Sequence, residues 1–519
     1  MDSQQAFKEL KDAVDAWVAS LIPDDYTSHI RKPKQDEKKV IREAVSGYQT
    51  LEPYEVLILD SPLLQRLRYI HQTALAYLVY PTANHTRFDH SLGCAKIAQR
   101  MGEVLIPTRR THILELRLAG LLHDVGHTFF SHLSECIMQS HFRAQYIAIK
   151  NAHEFQDLKL SFGEMISYLI VKSPPFRKFL DEVVHHYQRD LDLDNVAQLI
   201  IHNPANKLAY MGDIISGPFD ADKLDYLVRD CHFCGIRADV DVDRVVISTR
   251  ILDRKRFPPS DPKWGKRILV MQSGGVSILE QITFNKMLLF PAVYHHHKVR
   301  AIECMVKSMF EIIWENQDEI KDGRLKFQNI SDFYKFTDFE FLTAARVEPQ
   351  LKPIVERLLN RDLLKRCLVL FHRYLRGYKK GKKGKWIHLT KRRYETAPDK
   401  IRELRQWIWE ELPESKRDSV SIHDIWVDNP TPPPIGADPD RAWVDIGTRE
   451  LLPLTEFFPL PEWTTAYEIN KLKGHVFSVA DRDIRYAVNK AAINVFKYNK
   501  RFELEFEQRA TDECKIPRL

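Results

Sequence analysis

His90, the adjacent pair His123 and Asp124, and Asp222 are residues of metal-ligating type set along one stretch of the chain, with His127 one turn beyond the pair. Neutral imidazoles and carboxylates suit borderline first-row cations such as Fe, Mn, Ni, Co or Zn. Two histidines and two aspartates leave coordination positions open for water and a phosphate oxygen, which is what a catalytic site needs. A cation held in this way lowers the pKa of its water toward neutrality and sets hydroxide beside an electrophilic phosphorus. The order of these residues therefore predicts a metal-dependent hydrolase of phosphate esters.

The surroundings support that chemistry. The segment from Ile113 to Asp124 is nearly all apolar through LAGLL, so His123 and Asp124 emerge where water is scarce. An ionised carboxylate there costs several kcal/mol unless it is paired or bound to a cation. Taken singly, the pair could be a helix-terminal cap and His90 a satisfied core histidine; as a set they call for a cation. HDVGH (123–127) also has the two-histidine spacing of the zinc-peptidase motif HExxH. Asp124, with its shorter arm, stands where that motif needs Glu, and Gly126 weakens a helix there.

The elements that must position these groups are mostly helical. Residues 6–19 carry apolar positions at helical spacing, and a polar arm from Pro23 to Lys39 leads to the main body. Residues 61–72 read as a helix with Ser61 as N-cap and Pro62 at its first position. A short β-like stretch follows at Tyr77 to Tyr80. The helix after PTANHTRFDHSLG buries Leu92, Ala95, Ala98, Met101 and Leu105. Residues 218–234 form another helix, placing Asp222, Tyr226 and Arg229 or Asp230 along one wall. Residues 473–499 read as a closing amphipathic helix.

The 519 residues are 44% hydrophobic and 29% charged, enough for a large globular core and two to three domains. Glycine is scarce at 19, and no repeat of solenoid length is present. Neither a secretory leader nor a membrane span is expected, and seven scattered cysteines argue for reduced thiols in a cytoplasmic setting. The net charge of +6 is uneven, because residues 373–393 hold ten Lys or Arg and no acid. With Tyr374, Tyr378 and Trp386 interleaved, that run could track a single-stranded nucleic acid, although a solvated loop is the commoner meaning. Cys231 and Cys234 form a CxxC without a second pair, so zinc is not expected there.

Three blocks carry a resemblance: YIHQTALAYLVYPTANHTRFDHSLG (69–93), LAGLLHDVGHTFFSHLSE (118–135) and FDADKLDYLVRDCHFCGI (219–236). Together they resemble the HD-domain deoxynucleoside triphosphate triphosphohydrolases, over about half the chain. The resemblance implies a mainly α fold. An N-terminal helix and arm (1–44) would precede an HD helical bundle core (45–345), followed by a helical or mixed C-terminal region (346–519) with the basic segment 373–393 and a Pro-rich loop 429–440. It implies His90, His123, Asp124 and Asp222 as metal ligands, and His127, Glu135 and His153 as the catalytic set, with Glu135 where the family usually has Asp. His132 would protonate the leaving 5′ oxygen. Arg87, Lys223 and Arg229 would meet the triphosphate and its Mg ion. Tyr226, Asp230 and Gln72 would line the sugar, and Tyr294 or His295 the base, the triple histidine at 295–297 fitting two registers. Asp60, Gln65 and Arg68 match positions that contact an activating nucleotide between subunits, or are simply a cap and surface residues. The implied reaction releases deoxynucleoside and triphosphate from a homo-oligomer, with antiviral nucleotide depletion as one use. The alternative is an HD phosphodiesterase, nuclease or nucleic-acid-binding protein.

Overall fold

The computed structural model describes residues 2–156, 158, 160–203, 208–238, 240–253, 267–378, 383–432, 442–448 and 451–516. Helices carry the architecture, and among the described residues the strands form three small sheets. Phe7, Leu10, Val14 and Val18 make one buried stripe on the Ser3–Leu21 helix, and the Asp2 carboxylate caps it by accepting from Gln4 N–H. That stripe packs on the helices Arg143–Lys150, Phe162–Lys172 and Pro174–His186, so the N-terminal helix is part of the central core. The arm behind it ends in a hairpin of Lys39–Glu43 and Gly47–Leu51, which spans residues 44 and 45.

At the centre, the Arg87–Leu105 helix lies along the Arg110–Leu122 helix. Thr86 and Asp89 close a capping box at the start of the former, fixing where His90 begins its second turn. A Cβ on Gly120 would come within 3.0 Å of Ala95 Cα and Cys94 O, so glycine lets the two helices close at the depth of the ligand residues. Leu92, Ala95, Ala98 and Met101 are buried as the spacing predicts, while Leu105 is half-buried. The Ala221–Phe233 helix, capped by Asp220, packs against the same helix and brings Asp222 to it.

Three expected elements differ. The helix predicted over 61–72 runs only from Pro62 to Gln65, followed by a 3-10 turn at Arg66–Tyr69. Beyond it the backbone turns to bond the next helix, with Arg87 N–H donating to Ile70 O and Gln72 N–H to His85 O. The β-like stretch at Tyr77 to Tyr80 is a 3-10 turn at Ala76–Leu78, because its backbone groups bond locally. The segment 473–499 opens as a strand, Gly474–Ser478, before the Arg482–Tyr498 helix. GHVFS is wholly buried between Lys365–Leu370 and Trp426–Asp428 in a three-stranded antiparallel sheet, where β-branched and aromatic residues pack well.

The C-terminal region is mixed, and buried ion pairs tie it to the core. Arg405 Nη1 donates to both Glu311 oxygens at 2.9 Å, and Arg300 donates to Asp428 at 2.6 and 2.9 Å. A parallel pairing of Met271 with Val444 adds a strand link. Residues 379–382 of the basic segment and 433–440 of the Pro-rich loop lie outside the described residues.

Candidate metal centre and its surroundings

His90 leaves the first helix, His123 follows the last residue of the second, and Asp222 sits in the first turn of the third. His90 Nε2 lies 3.1 Å from Asp222 Oδ1 and 3.6 Å from Asp124 Oδ2; His123 Nε2 lies 3.4 Å from Asp124 Oδ1 and 4.0 Å from Asp222 Oδ1. Burial opposes a charge on His123, yet Asp124 overrides it and pushes the imidazole up to about 10. Burial works against ionising Asp124 and Asp222 too, but the cations and imidazoles around them hold both below the usual carboxylate range. The site is a well for positive charge. His123 Nε2 is buried without a hydrogen-bond partner, as a free donor atom for a cation would be. The residues therefore fit a divalent metal.

Behind His90 stands a residue that the motif reading missed. Asp225 Oδ2 lies 2.8 Å from His90 Nδ1, and Arg229 holds both oxygens of that carboxylate at 2.7 and 2.8 Å. Arg229 also donates to Glu43 at the end of the hairpin. It is fully buried and its guanidinium is occupied by these two acids, not turned toward a triphosphate. A Cβ on Gly93 would fall 1.8 Å from Asp225 Oδ1, so only glycine admits this carboxylate. The visible signal was an oppositely charged i, i+4 pair, Asp225 and Arg229, inside an otherwise apolar helix face.

His127 lies on the other side of Asp124, its Nε2 3.1 Å from Asp124 Oδ1. Glu135 bridges two histidines: Oε1 is 3.3 Å from His127 Nδ1, and Oε2 is 3.2 Å from His132 Nδ1. Glu135 Oε1 also accepts from Gly163 N–H at 3.0 Å, near a helix N-terminus. Burial raises this carboxyl, but its histidine neighbours and Arg87 bring it down to about 2. Burial and then Arg87 lower His127, which keeps the ring neutral near pH 7. His132 is 72% exposed and meets the His127 ring edge-on at 5.3 Å. His153 is exposed in the turn after the Arg143–Lys150 helix, and the described cluster around Glu135 comprises His127 and His132.

Arg87 donates to Asp124 Oδ2 at 2.6 Å and to Ser131 Oγ at 3.0 Å, while its Nη2 is buried without a partner. Lys223 Nζ donates to Gly217 O at 2.9 Å and to Asp220. Lys286, also missed by motif, is buried nearby, and burial together with Lys223 lowers its ammonium to about 8. Asp230 receives His85 at 2.7 Å and the Tyr294 hydroxyl. Tyr226 is half-buried, and burial with three nearby aspartates keeps its phenol protonated. Gln72 Oε1 is buried and unpaired. His295 packs 5.6 Å from Phe290, and burial pushes it down to about 3, so it is neutral.

Gln65 and Arg68 bond each other at 2.9 Å, and Arg68 lies over the Phe88 ring; Asp60 is exposed at the end of the Pro53–Leu59 helix. In the described part of the basic segment, Trp386 is buried and Tyr374 and Tyr378 are half-buried. Arg373, Lys385 and Arg392 contact Asn470, Glu503 and Glu403. All seven cysteines, Cys231 and Cys234 included, are free thiols. No described helix is long and apolar enough to cross a membrane.

Fold and side-chain geometry define a mainly helical protein with a histidine-aspartate cluster that could hold a metal. Residues 87–215 match the HD domain model and residues 240–397 the HD associated region. An uncharacterized protein of Methanocaldococcus jannaschii is 29% identical over 331 residues, covering 64% of this chain and 59% of its own. Deoxynucleoside triphosphate triphosphohydrolase SAMHD1 of Gallus gallus is 27% identical over 368 residues, covering 64% and 56%; that of Bos taurus is 31% identical over 372, covering 65% and 61%. The chain thus carries an HD domain followed by an HD associated region, as in a metal-dependent hydrolase, and is similar to deoxynucleoside triphosphate triphosphohydrolases over about two thirds of its length. It spans roughly three fifths of the length of these relatives, between 56% and 61%.

Proposed function

We propose that this chain hydrolyses deoxynucleoside triphosphates at the α-phosphorus, releasing deoxynucleoside and intact triphosphate. The observation that carries this reading is the donor cluster of buried His90, His123 and Asp124 with half-buried Asp222, beside Arg87, whose Nη2 has no partner. A buried guanidinium donor next to a metal centre suits a phosphate oxygen.

A bound divalent cation supplies Lewis acidity and eases ionisation of water at neutral pH. The chain's own groups do the rest. Neutral His127, 3.1 Å from Asp124, is placed to take a proton, and ionised Glu135 steadies the resulting imidazolium. Solvent-facing His132 is placed to protonate the departing 5′ oxygen. Arg87 and Lys286, with Lys223, offer positive charge to the triphosphate and its Mg ion. Tyr226 packs under the sugar, with Asp230 and Gln72 at its edge. Tyr294, tied to Asp230, lies at the base end. Support for the nucleotide substrate comes from the relatives whose names carry that activity. A cytoplasmic homo-oligomer that depletes deoxynucleotides, with antiviral defence as one use, is the cellular setting consistent with this reading.

The test is incubation of metal-loaded and chelator-treated protein with the eight common NTPs and dNTPs, followed by chromatography of the products. Metal-dependent appearance of deoxynucleoside and triphosphate is expected. Nucleoside monophosphate and pyrophosphate would overturn the assignment.

A further inference from the structure

The HDVGH turn that carries His123, Asp124 and His127 is gripped by side chains from outside it. Arg66 opens the 3-10 turn Arg66–Tyr69, and its Nη2 donates to Val125 O at 3.1 Å and to His127 O at 2.7 Å. Between those two carbonyls, Gly126 O accepts from the Tyr334 hydroxyl at 3.0 Å, and Gly126 N–H donates to Ser167 Oγ at 2.9 Å. A Cβ on Gly126 would fall 2.3 Å from Ser167 N, so the turn sits directly on the Phe162–Lys172 helix.

These bonds separate the two halves of the turn. His123 and Asp124 have anchors of their own, since His123 Nδ1 lies 2.8 Å from Gly120 O and Arg87 donates to Asp124. Val125, Gly126 and His127 lie beyond the end of the Arg110–Leu122 helix, and their three consecutive carbonyls are taken by Arg66 and Tyr334. The His127 ring stands 3.1 Å from Asp124 and 3.3 Å from Glu135, on opposite ring nitrogens. A small tilt of its backbone would lengthen one contact or the other.

Packing explains Arg66 less well. Its Nε and Nη1 are buried without partners, and burial brings the guanidinium down to about 10. An apolar side chain would fill the same space without that cost. The Trp17 ring at 5.2 Å and the Tyr334 ring at 6.0 Å return part of it by cation–π attraction. What only a donor supplies there is the pair of bonds to Val125 and His127. The competing account is that Arg66 braces the core in general, with no bearing on His127.

We propose that Arg66 is a positioning residue for the hydrolysis. By holding the carbonyls on either side of Gly126, with Tyr334 on the carbonyl between, it fixes the His127 ring against Asp124 and Glu135. This rests on the proposed function, in which His127 takes the proton.

Arg66→Met and Tyr334→Phe remove the donors and keep most of the bulk. Each full-length variant is checked for folding by circular dichroism and then compared with the wild type in hydrogen exchange, chelator competition for the metal, and nucleotide turnover. In Arg66→Met the amides of Val125, Gly126 and His127 should exchange about tenfold or more faster, the weight of a bond from a charged group, while the flanking helices keep their protection. Its kcat should fall about 10- to 100-fold with KM and metal affinity held, because misplacing a reacting group costs rate and not binding. Tyr334→Phe, which loses one carbonyl bond, should fall less. Unchanged exchange, unchanged kcat, or metal affinity lost in step with kcat would overturn the positioning role. A wild type that turns over no nucleotide would instead overturn the proposed reaction, and the role of Arg66 in it.

Discussion

Asp225 lies 2.8 Å from the second ring nitrogen of His90, and through Arg229 it links a candidate metal ligand to the hairpin residue Glu43. Such a carboxylate fixes the tautomer and the ring plane, leaving Nε2 free for the cation. Replacing Asp225 by Ala should lower metal affinity by about 10- to 100-fold, the usual effect of losing such a partner. Competition against a coloured chelator measures it. Unchanged affinity would mean that packing alone orients His90.

Arg87 and Asp124 form a buried pair, their side chains 3% and 6% exposed. Removing one partner of such a pair strands the other charge, at a cost of about 3 to 5 kcal/mol. Arg87→Ala should therefore unfold at lower denaturant when metal-free, and added cation should restore part of the difference by satisfying Asp124. Equal stability of the two metal-free proteins would argue against this pairing.

How much of this was legible depended on whether the signal was local. The four candidate metal ligands are legible because their types are rare in apolar helices. Asp225 is not, since an aspartate on a helix says nothing of what faces it across the bundle. Arg229 shows the same limit: its helix was foreseen, but its partner Glu43 comes from a hairpin 186 residues away. The strand Gly474–Ser478 is hidden within the amphipathic pattern of 473–499 because its neighbours, Lys365–Leu370 and Trp426–Asp428, are remote in sequence.

Glu311 joins the core to the C-terminal region through Arg405, and the pair dictates an acid response. Burial alone would raise this carboxyl, but Arg405 and His423 bring it down to about 2. A carboxyl whose folded pKa lies below its unfolded value of about 4.3 adds stability above that value and loses it as pH falls toward the folded one. Chemical unfolding followed from pH 6 down to pH 2 should show this loss, and Glu311→Gln should flatten it. A wild-type and variant difference that does not change across that window would contradict the pairing.

Tyr226 is half-buried on the wall that carries Asp222 and Asp230. If its ring fills the space beneath the sugar, Tyr226→Ala should raise the kcat/KM for ribonucleotides relative to deoxyribonucleotides by roughly 10- to 100-fold, the range that one steric contact provides. Competition assays with paired dNTP and NTP substrates read the ratio. A ratio that stays put would move sugar discrimination to the Asp230 and Gln72 edge.

The central claim concerns which bond to phosphorus breaks, and hydrolysis in oxygen-18 water reads it out. Attack at the α-phosphorus with departure of the 5′ oxygen places the heavy oxygen in the triphosphate and none in the deoxynucleoside, which is the predicted result. Label in a nucleoside monophosphate or in pyrophosphate would contradict it.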